Sequence, residues 1–536
     1  MWDGKVIFVV IVAVVLAAGA GRIVAARYRR RLLALMSMAA PPNDLAGGAE
    51  PVSLAITAAP PDRRSTASTM QNRQAQRRLA LAFGAISLAI GLSQAWFGLT
   101  FVYAEGGYGP IKLSLMGLVY AWVMIPALGL LRRWGWARIA AWSVGYMLAM
   151  GVLLWLRSTE DQQLSVVVGW LLTTILPPLA VFTLAFGGNA RATGPQLLPI
   201  FLVLVGSSVM GTEMLARMME SPNGSAAILR LLGILPATGV FALFVFAPWA
   251  VMAWPAWKSA RLLAAGYVAK RFSEPVYLFG GLWLVALLME ALSASHGVGA
   301  TALWVMACWL WIPVGLLALR SLLAAPAPAP MLLVLRVFQR DVQVQALFDD
   351  LVESWRYSGP ACLIAGTDLA LRTLEPDELF AFVSGRLQER FIGSMAALER
   401  RLGSLDLATD PDGRFRVNEF YCFDSTWQRA LDGLVAQSEV VLMDLRGLRA
   451  GNLGSLHELR VLTRATHLHR IVVLFDESTD QEAARDAVGP SSARFIWHDV
   501  ARLGRAGAES VLQLLLEGSP APPPDAAVTT PRNRQA

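Results

Sequence analysis

Charge is scarce in this chain. Asp, Glu, Lys and Arg make up 16% of its 536 residues, where a soluble domain carries roughly 25%. Hydrophobic residues make up 55%, and the mean hydropathy is +0.49. A water-soluble fold cannot cover that much apolar surface, so the bilayer must solvate part of it. Cysteine is scarce too. Cys308, Cys362 and Cys422 form no CxxC pair, which leaves a disulfide framework or a zinc site without support. The first apolar run, Val6 to Ala20, has its arginines after it, at Arg22, Arg27 and Arg29 to Arg31. A cleaved signal peptide has the reverse order, so a retained anchor is expected. The net charge of +7 sits mostly in short loops between apolar stretches. There it reads as an orientation signal, and nucleic acid is not expected as a partner.

Nine stretches are apolar and long enough to cross a bilayer, near 5–25, 79–103, 112–131, 138–156, 164–187, 196–216, 227–254, 276–295 and 300–324; a crossing helix needs about 20 such residues. With the N-terminus outside, the inner loops hold Arg63, Arg64, Arg73, Arg77, Arg78, Arg132, Arg133, Arg191, Lys258, Arg261, Lys270 and Arg271. The outer loops hold Arg157 and Arg217 against Glu105, Glu160, Asp161 and Glu220. Positive charge thus falls on one side at every crossing. Trp96, Trp134, Trp136, Trp155, Trp254 and Trp257 lie near span ends, as an aromatic belt requires. The expected location is a bacterial inner membrane, multi-pass, with the lipid bilayer as first partner and the C-terminal part in the cytoplasm.

The expected divisions are an anchor at 1–27, a flexible linker at 28–78, an eight-span bundle at 79–325, an α/β domain at 326–518 and a tail at 519–536. The Ala-Pro run Ala324–Pro330 reads as a stiff spacer. Few ionisable groups fall within spans. Glu213 and Glu290 lie near outer ends, where a carboxylate reaches water by snorkelling. No inverted repeat is visible, so the spans give no argument for transport.

From Met331 onward the pattern alternates. Short apolar runs at Met331–Phe338, Ala361–Gly366, Arg414–Phe423, Val440–Leu445, Ile471–Phe475 and Ala493–Trp497 alternate with helical stretches at 342–357, 375–390, 394–404, 425–437, 454–467, 479–487 and 507–517. This predicts an α/β flavodoxin-like domain with a mainly parallel sheet covered on both faces. Residues 330–520 are expected to fold by themselves. Ligands of such sheets bind beyond the carboxyl ends of the strands. Polar residues collect there: Arg336, Asp368, Asp444, Arg446 and Glu458. A carboxylate in that place serves as nucleophile or general base.

The run EVVLMDLRGLRAGNLGSLHELRVL (439–462), followed by HRIVVLFDES (469–478), resembles the late strand–helix–strand unit of TIR-like and nucleoside 2-deoxyribosyltransferase-like domains. The opening LRVFQRD (335–341) is similar to the first strand of membrane-tethered domains with the same late motif. The resemblance implies a strand-end acid at Asp444 and a catalytic glutamate at Glu458. The glutamate would act at the anomeric carbon of a nucleoside or NAD ribose. Arg460 stands where those families carry glycine after their E-L pair.

Simpler roles compete with each of these. Asp444 and Arg446 can pair with each other, and Glu458 suits the first turn of a helix without any catalysis. His467 and His469, two apart, share no helix face, so no metal is expected. Cys362 and Cys422 read as core residues. Two functions fit. One is a membrane-tethered sensor whose inner domain binds NAD or another nucleotide and cleaves its glycosidic bond. The other is a non-enzymatic scaffold or transporter with a protein partner. Homo-oligomerisation stays open. The topology predicts that a reporter fused after residue 330 is active only as a cytoplasmic fusion; activity solely on the outer side would overturn it.

Overall fold

The computed structural model describes residues 4–38, 68–103, 107–157, 163–186, 193–324, 330–337, 347–366, 375–500 and 504–517. Among these, nine helical segments are long and apolar enough to cross a membrane. They are α1 (Gly4–Met36), α2 (Thr69–Phe97, continued as a π-helical turn Gly98–Val102), the pair α3 (Pro110–Tyr120) and α4 (Met124–Leu131), α5 (Trp136–Arg157), α6 (Leu164–Phe186), α7 (Gly194–Glu220), α9 (Ala237–Val268), α10 (Glu274–Val298), and a 3₁₀ segment Gly299–Leu310 running into α11 (Trp311–Ala318). A separate amphipathic helix, α8 (Pro222–Leu232), precedes α9, and α12 (Arg320–Leu323) ends the bundle.

Three boundaries differ from those read in the sequence. The linker expected at 28–78 is shorter at both ends. Its first residues continue α1, because Leu32 and Leu35 bury themselves against the α/β domain. Its last belong to α2, which starts where Ser68 and Gln71 form a capping box. Residues 39–67 lie outside the described set. The span expected at 227–254 begins later, since Pro236 caps α9. At 32 residues, α9 is about 48 Å long and outruns a hydrocarbon core of about 30 Å. Its far end reaches the α/β domain, where Trp257 meets Phe380 at 5.0 Å.

The C-terminal domain is built on seven strands: β1 (Leu332–Arg336), β2 (Ala361–Ile364), β3 (Phe391–Ile392), β4 (Val417–Cys422), β5 (Val440–Asp444), β6 (Arg470–Phe475) and β7 (Phe495–Asp499). Every pairing is parallel, in the order β3-β4-β2-β1-β5-β6-β7. Leaving aside the two-residue edge strand β3, this is the doubly wound order 3-2-1-4-5-6. Burial follows strand alternation: Leu332 and Val334 face one core, Leu333 and Leu335 the other. The stretch expected as one helix at 375–390 stops at Val383. Gly385, at φ +75°, turns the chain there, as a left-handed helix terminus does. This is also why β3 was not anticipated.

The domain does not hang from its spacer. It is seated on the ends of α1, α2, α4 and α9, the side to which the sequence assigns the basic loops. Glu353 accepts from Arg356 at 2.9 Å and Arg414 at 2.8 Å, and Arg133, in the turn after α4, lies 3.1 Å away. Arg414 also binds Asp412, which accepts from Ser273 at 2.6 Å. Arg416 donates to the Tyr267 carbonyl and its guanidinium lies 4.0 Å from that ring's centre. Lys270 pairs with Asp406. Asn72 donates to the Ser354 carbonyl and to Ser358. Burial opposes ionisation of Glu353, yet Arg356, Arg133 and Arg414 together hold its carboxyl well below the usual range.

Two substitutions test this seat. Glu353→Gln strands buried arginines and should cost about 3–5 kcal/mol, read as a lower melting temperature of the full chain in detergent. Gly413 has φ +80°, and a Cβ there would lie 1.9 Å from the Leu323 carbonyl oxygen. Gly413→Ala should therefore loosen the domain and lower the same melting temperature. An unchanged melting temperature would count against a fixed seat.

Candidate functional site

The chain winds from β1 to β2 and β4 on one side, then returns to β5 on the other side of β1. In sheets of this order, ligands bind beyond the strands' carboxyl ends at such a switch point. The register sets Arg336, the last residue of β1, against Asp444, the last of β5. Both side chains are buried, as are Arg446 and Glu458. The structure thus brings four of the five expected residues to one edge. The fifth, Asp368, lies outside the described residues, as do 338–346 after β1.

Asp444 and Arg446 close on each other. Arg446 donates from Nε to Asp444 Oδ1 at 2.8 Å and from Nη2 to Oδ2 at 2.6 Å, and its backbone N–H adds a third bond. A two-pronged charge-assisted pair of this kind fixes both partners. The neighbouring rim is also fixed: Thr479 donates to the Leu445 carbonyl, and Asp476 accepts from Ser478 and Thr479. Arg336 donates to the Ile364 carbonyl at 3.3 Å and lies over the Phe348 ring.

Glu458 sits in the helix Leu453–Arg464. Its buried positions, Ser455, Leu456, Glu458, Leu459 and Leu462, make one stripe facing the sheet. The residue was expected at the mouth of a cleft, but its place on that stripe carries it underneath. It is 3% exposed, and its Oε2 has no hydrogen-bond partner among the described residues. Burial pushes its carboxyl up to about 8, with Arg336 acting in the opposite direction. At neutral pH the neutral acid therefore predominates. In that form the group donates a proton rather than attacking as a carboxylate.

The other singled-out residues have structural surroundings. Cys362 and Cys422 are buried, and burial pushes both thiols up to about 12. His457 packs edge-on against Trp427, and His467 meets the Val435 carbonyl at 2.9 Å. One polar cluster was not foreseen. Tyr421 hydrogen-bonds Glu378 and, at 2.9 Å, Glu419, with Tyr28 of α1 at 3.4 Å and Arg390 over the ring. Its members are spread from residue 28 to residue 421. The local signal was Glu419, a carboxylate in a buried strand that also carries Asn418 and Tyr421.

The raised Glu458 carboxyl fixes a pH dependence. Between about 4.5 and about 8 the folded chain keeps a proton that the unfolded chain has released. Stability from this group is complete below that window and falls as pH rises through it, by about 1.4 kcal/mol per unit. Glu458→Gln should remove this slope, seen as a melting-temperature difference from wild type that grows toward pH 8; a constant difference would contradict the buried neutral acid. No protein-family model, curated protein or solved structure matches the chain, so the function has to be argued from the geometry of this edge.

Proposed function

We propose that this chain is a membrane-tethered sensor whose α/β domain, on the cytoplasmic side, binds a nucleotide-like ligand at the β1–β5 switch point. The observation that carries this reading is the buried, incompletely bonded Glu458 near that switch point, under the influence of the cation of Arg336. A buried polar group without a partner is costly to keep, and strongly shifted carboxyls collect at sites that bind or react. Arg336 suits the anionic part of such a ligand. Glu458 as a neutral acid suits the departure of a purine from an N-glycosidic carbon: the water oxygen bonds to the carbon as the C–N bond breaks, the purine leaves with the Glu458 proton, and the proton lost by the water restores the acid. The seat on four spans gives the membrane domain a rigid connection to this site.

A second reading draws on Asp444. With both carboxylate oxygens held by Arg446, Asp444 acts as a strand-end lock, which favours a domain that binds without turnover. Incubating the purified full chain with NAD and with purine nucleosides distinguishes the two. Turnover predicts free base and ribose product from wild type and none from Glu458→Gln, which should still bind. Binding without product in either protein selects the second reading. Failure of every nucleotide and nucleoside to bind would sink the nucleotide assignment.

A further inference from the structure

A cleft of about 520 Å³ lies on another part of the molecule, between the membrane bundle and the α/β domain. Its volume is in the range of small-molecule sites, roughly 300–1,000 Å³. Five arginines line it: Arg73 and Arg77 from the first turns of α2, Arg132 and Arg133 from the end of α4, and Arg414 from the α/β domain. Three carboxylates face them, Asp350, Glu353 and Glu509.

The charges do not cancel locally. Glu353 is already shared by Arg133, Arg356 and Arg414. Glu509 pairs with Arg73 at 3.3 Å, both more than half exposed, where such a pair is weak. Among the described residues, neither Arg77 nor Arg132 meets a carboxylate. The buried Nη2 of Arg414 also lacks a hydrogen-bond partner there. The cleft therefore keeps cationic donors that its own acids do not satisfy.

Its position narrows the ligand. Ala80 and Leu131 line the side toward the spans. Arg132 begins where α4 ends and lies over Trp134, a pairing suited to the level of the headgroups. An apolar wall below and guanidinium groups above fit an amphipathic anion. Guanidinium forks match phosphate oxygens in pairs.

We propose that this cleft binds a phosphate group at the membrane surface, carried by an anionic phospholipid or by soluble phosphate. The ligand would share Arg133 and Arg414 with Glu353, so its binding is linked to how the α/β domain is seated. Nothing in the proposal depends on the Glu458 site.

The test uses the full chain in detergent, titrated with dihexanoyl phosphatidylglycerol, dihexanoyl phosphatidylcholine or inorganic phosphate, with binding read by calorimetry. Phosphatidylglycerol should bind and phosphatidylcholine should not. Arg77→Gln with Arg132→Gln should weaken binding about 25-fold, at about fivefold for each basic group. Both side chains are exposed, so the variant should fold, and its unchanged melting temperature without ligand verifies that. Restoring charge with lysine at both positions should recover part of the affinity. Lys258→Gln, on α9 outside the cleft, should leave binding unchanged. If inorganic phosphate binds as tightly as phosphatidylglycerol, the site serves soluble phosphate; if it fails to compete, the site serves the lipid. Equal binding of the two lipids, no binding of either anion, or an equal loss with Lys258→Gln would overturn the proposal.

Discussion

Glu353 is the residue on which the two halves of this chain meet. A buried carboxylate is unfavourable unless cations and hydrogen bonds surround it, and here one cation comes from the membrane bundle and two from the α/β domain. The bundle alone would leave Arg133 at a bilayer surface. The domain alone would leave Glu353, Arg356 and Arg414 in solvent with little reason to hold one geometry. Together they form a network that is satisfied only when the domain is docked. The orientation of the sheet relative to the membrane bundle, and so the direction in which the carboxyl ends of β1 and β5 face, follows from that docking.

Much of this architecture is legible in the sequence because its signals are periodic or compositional. Span positions follow from apolar runs, and the shared side of the loops follows from their arginines; the α/β domain indeed rests on the ends of α4 and α9 that those loops join. Alternating strands and helices predict a parallel sheet, and six of its strands lie where the pattern puts them. The placing of Arg336 and Asp444 side by side at the strand ends was also visible, because strand ends are set by local spacing.

What could not be read depends on distant contacts. Glu458 looks like a first-turn residue by position alone, but its burial is decided by the sheet beneath it. Asp444 has an arginine two residues on, yet only the loop geometry shows that both of its oxygens are occupied. β3 is two residues long, too short for any alternation to register. The Tyr28–Tyr421 cluster joins residues 393 positions apart. The charges at 414, 416 and 419 contradict a buried strand if each is counted by itself. They make sense once the membrane bundle supplies Ser273, Tyr267 and Arg133 around Arg414 and Arg416, and Tyr28 beside the Tyr421–Glu419 pair.

The last turns of α1 have a consequence for synthesis. Tyr28, Leu32 and Leu35 belong to the same core as Leu332, Val472 and Leu515, and Tyr28 meets Tyr421, 393 positions later. At ribosomal rates of about 5–20 residues per second, that separation is roughly 20–80 s. Throughout that interval the C-terminal end of the first helix carries an apolar, aromatic surface whose partners have not yet been made. The opening segment of the chain thus serves as a template waiting in the membrane, and completion of the last domain closes a loop that runs nearly the full length of the polypeptide.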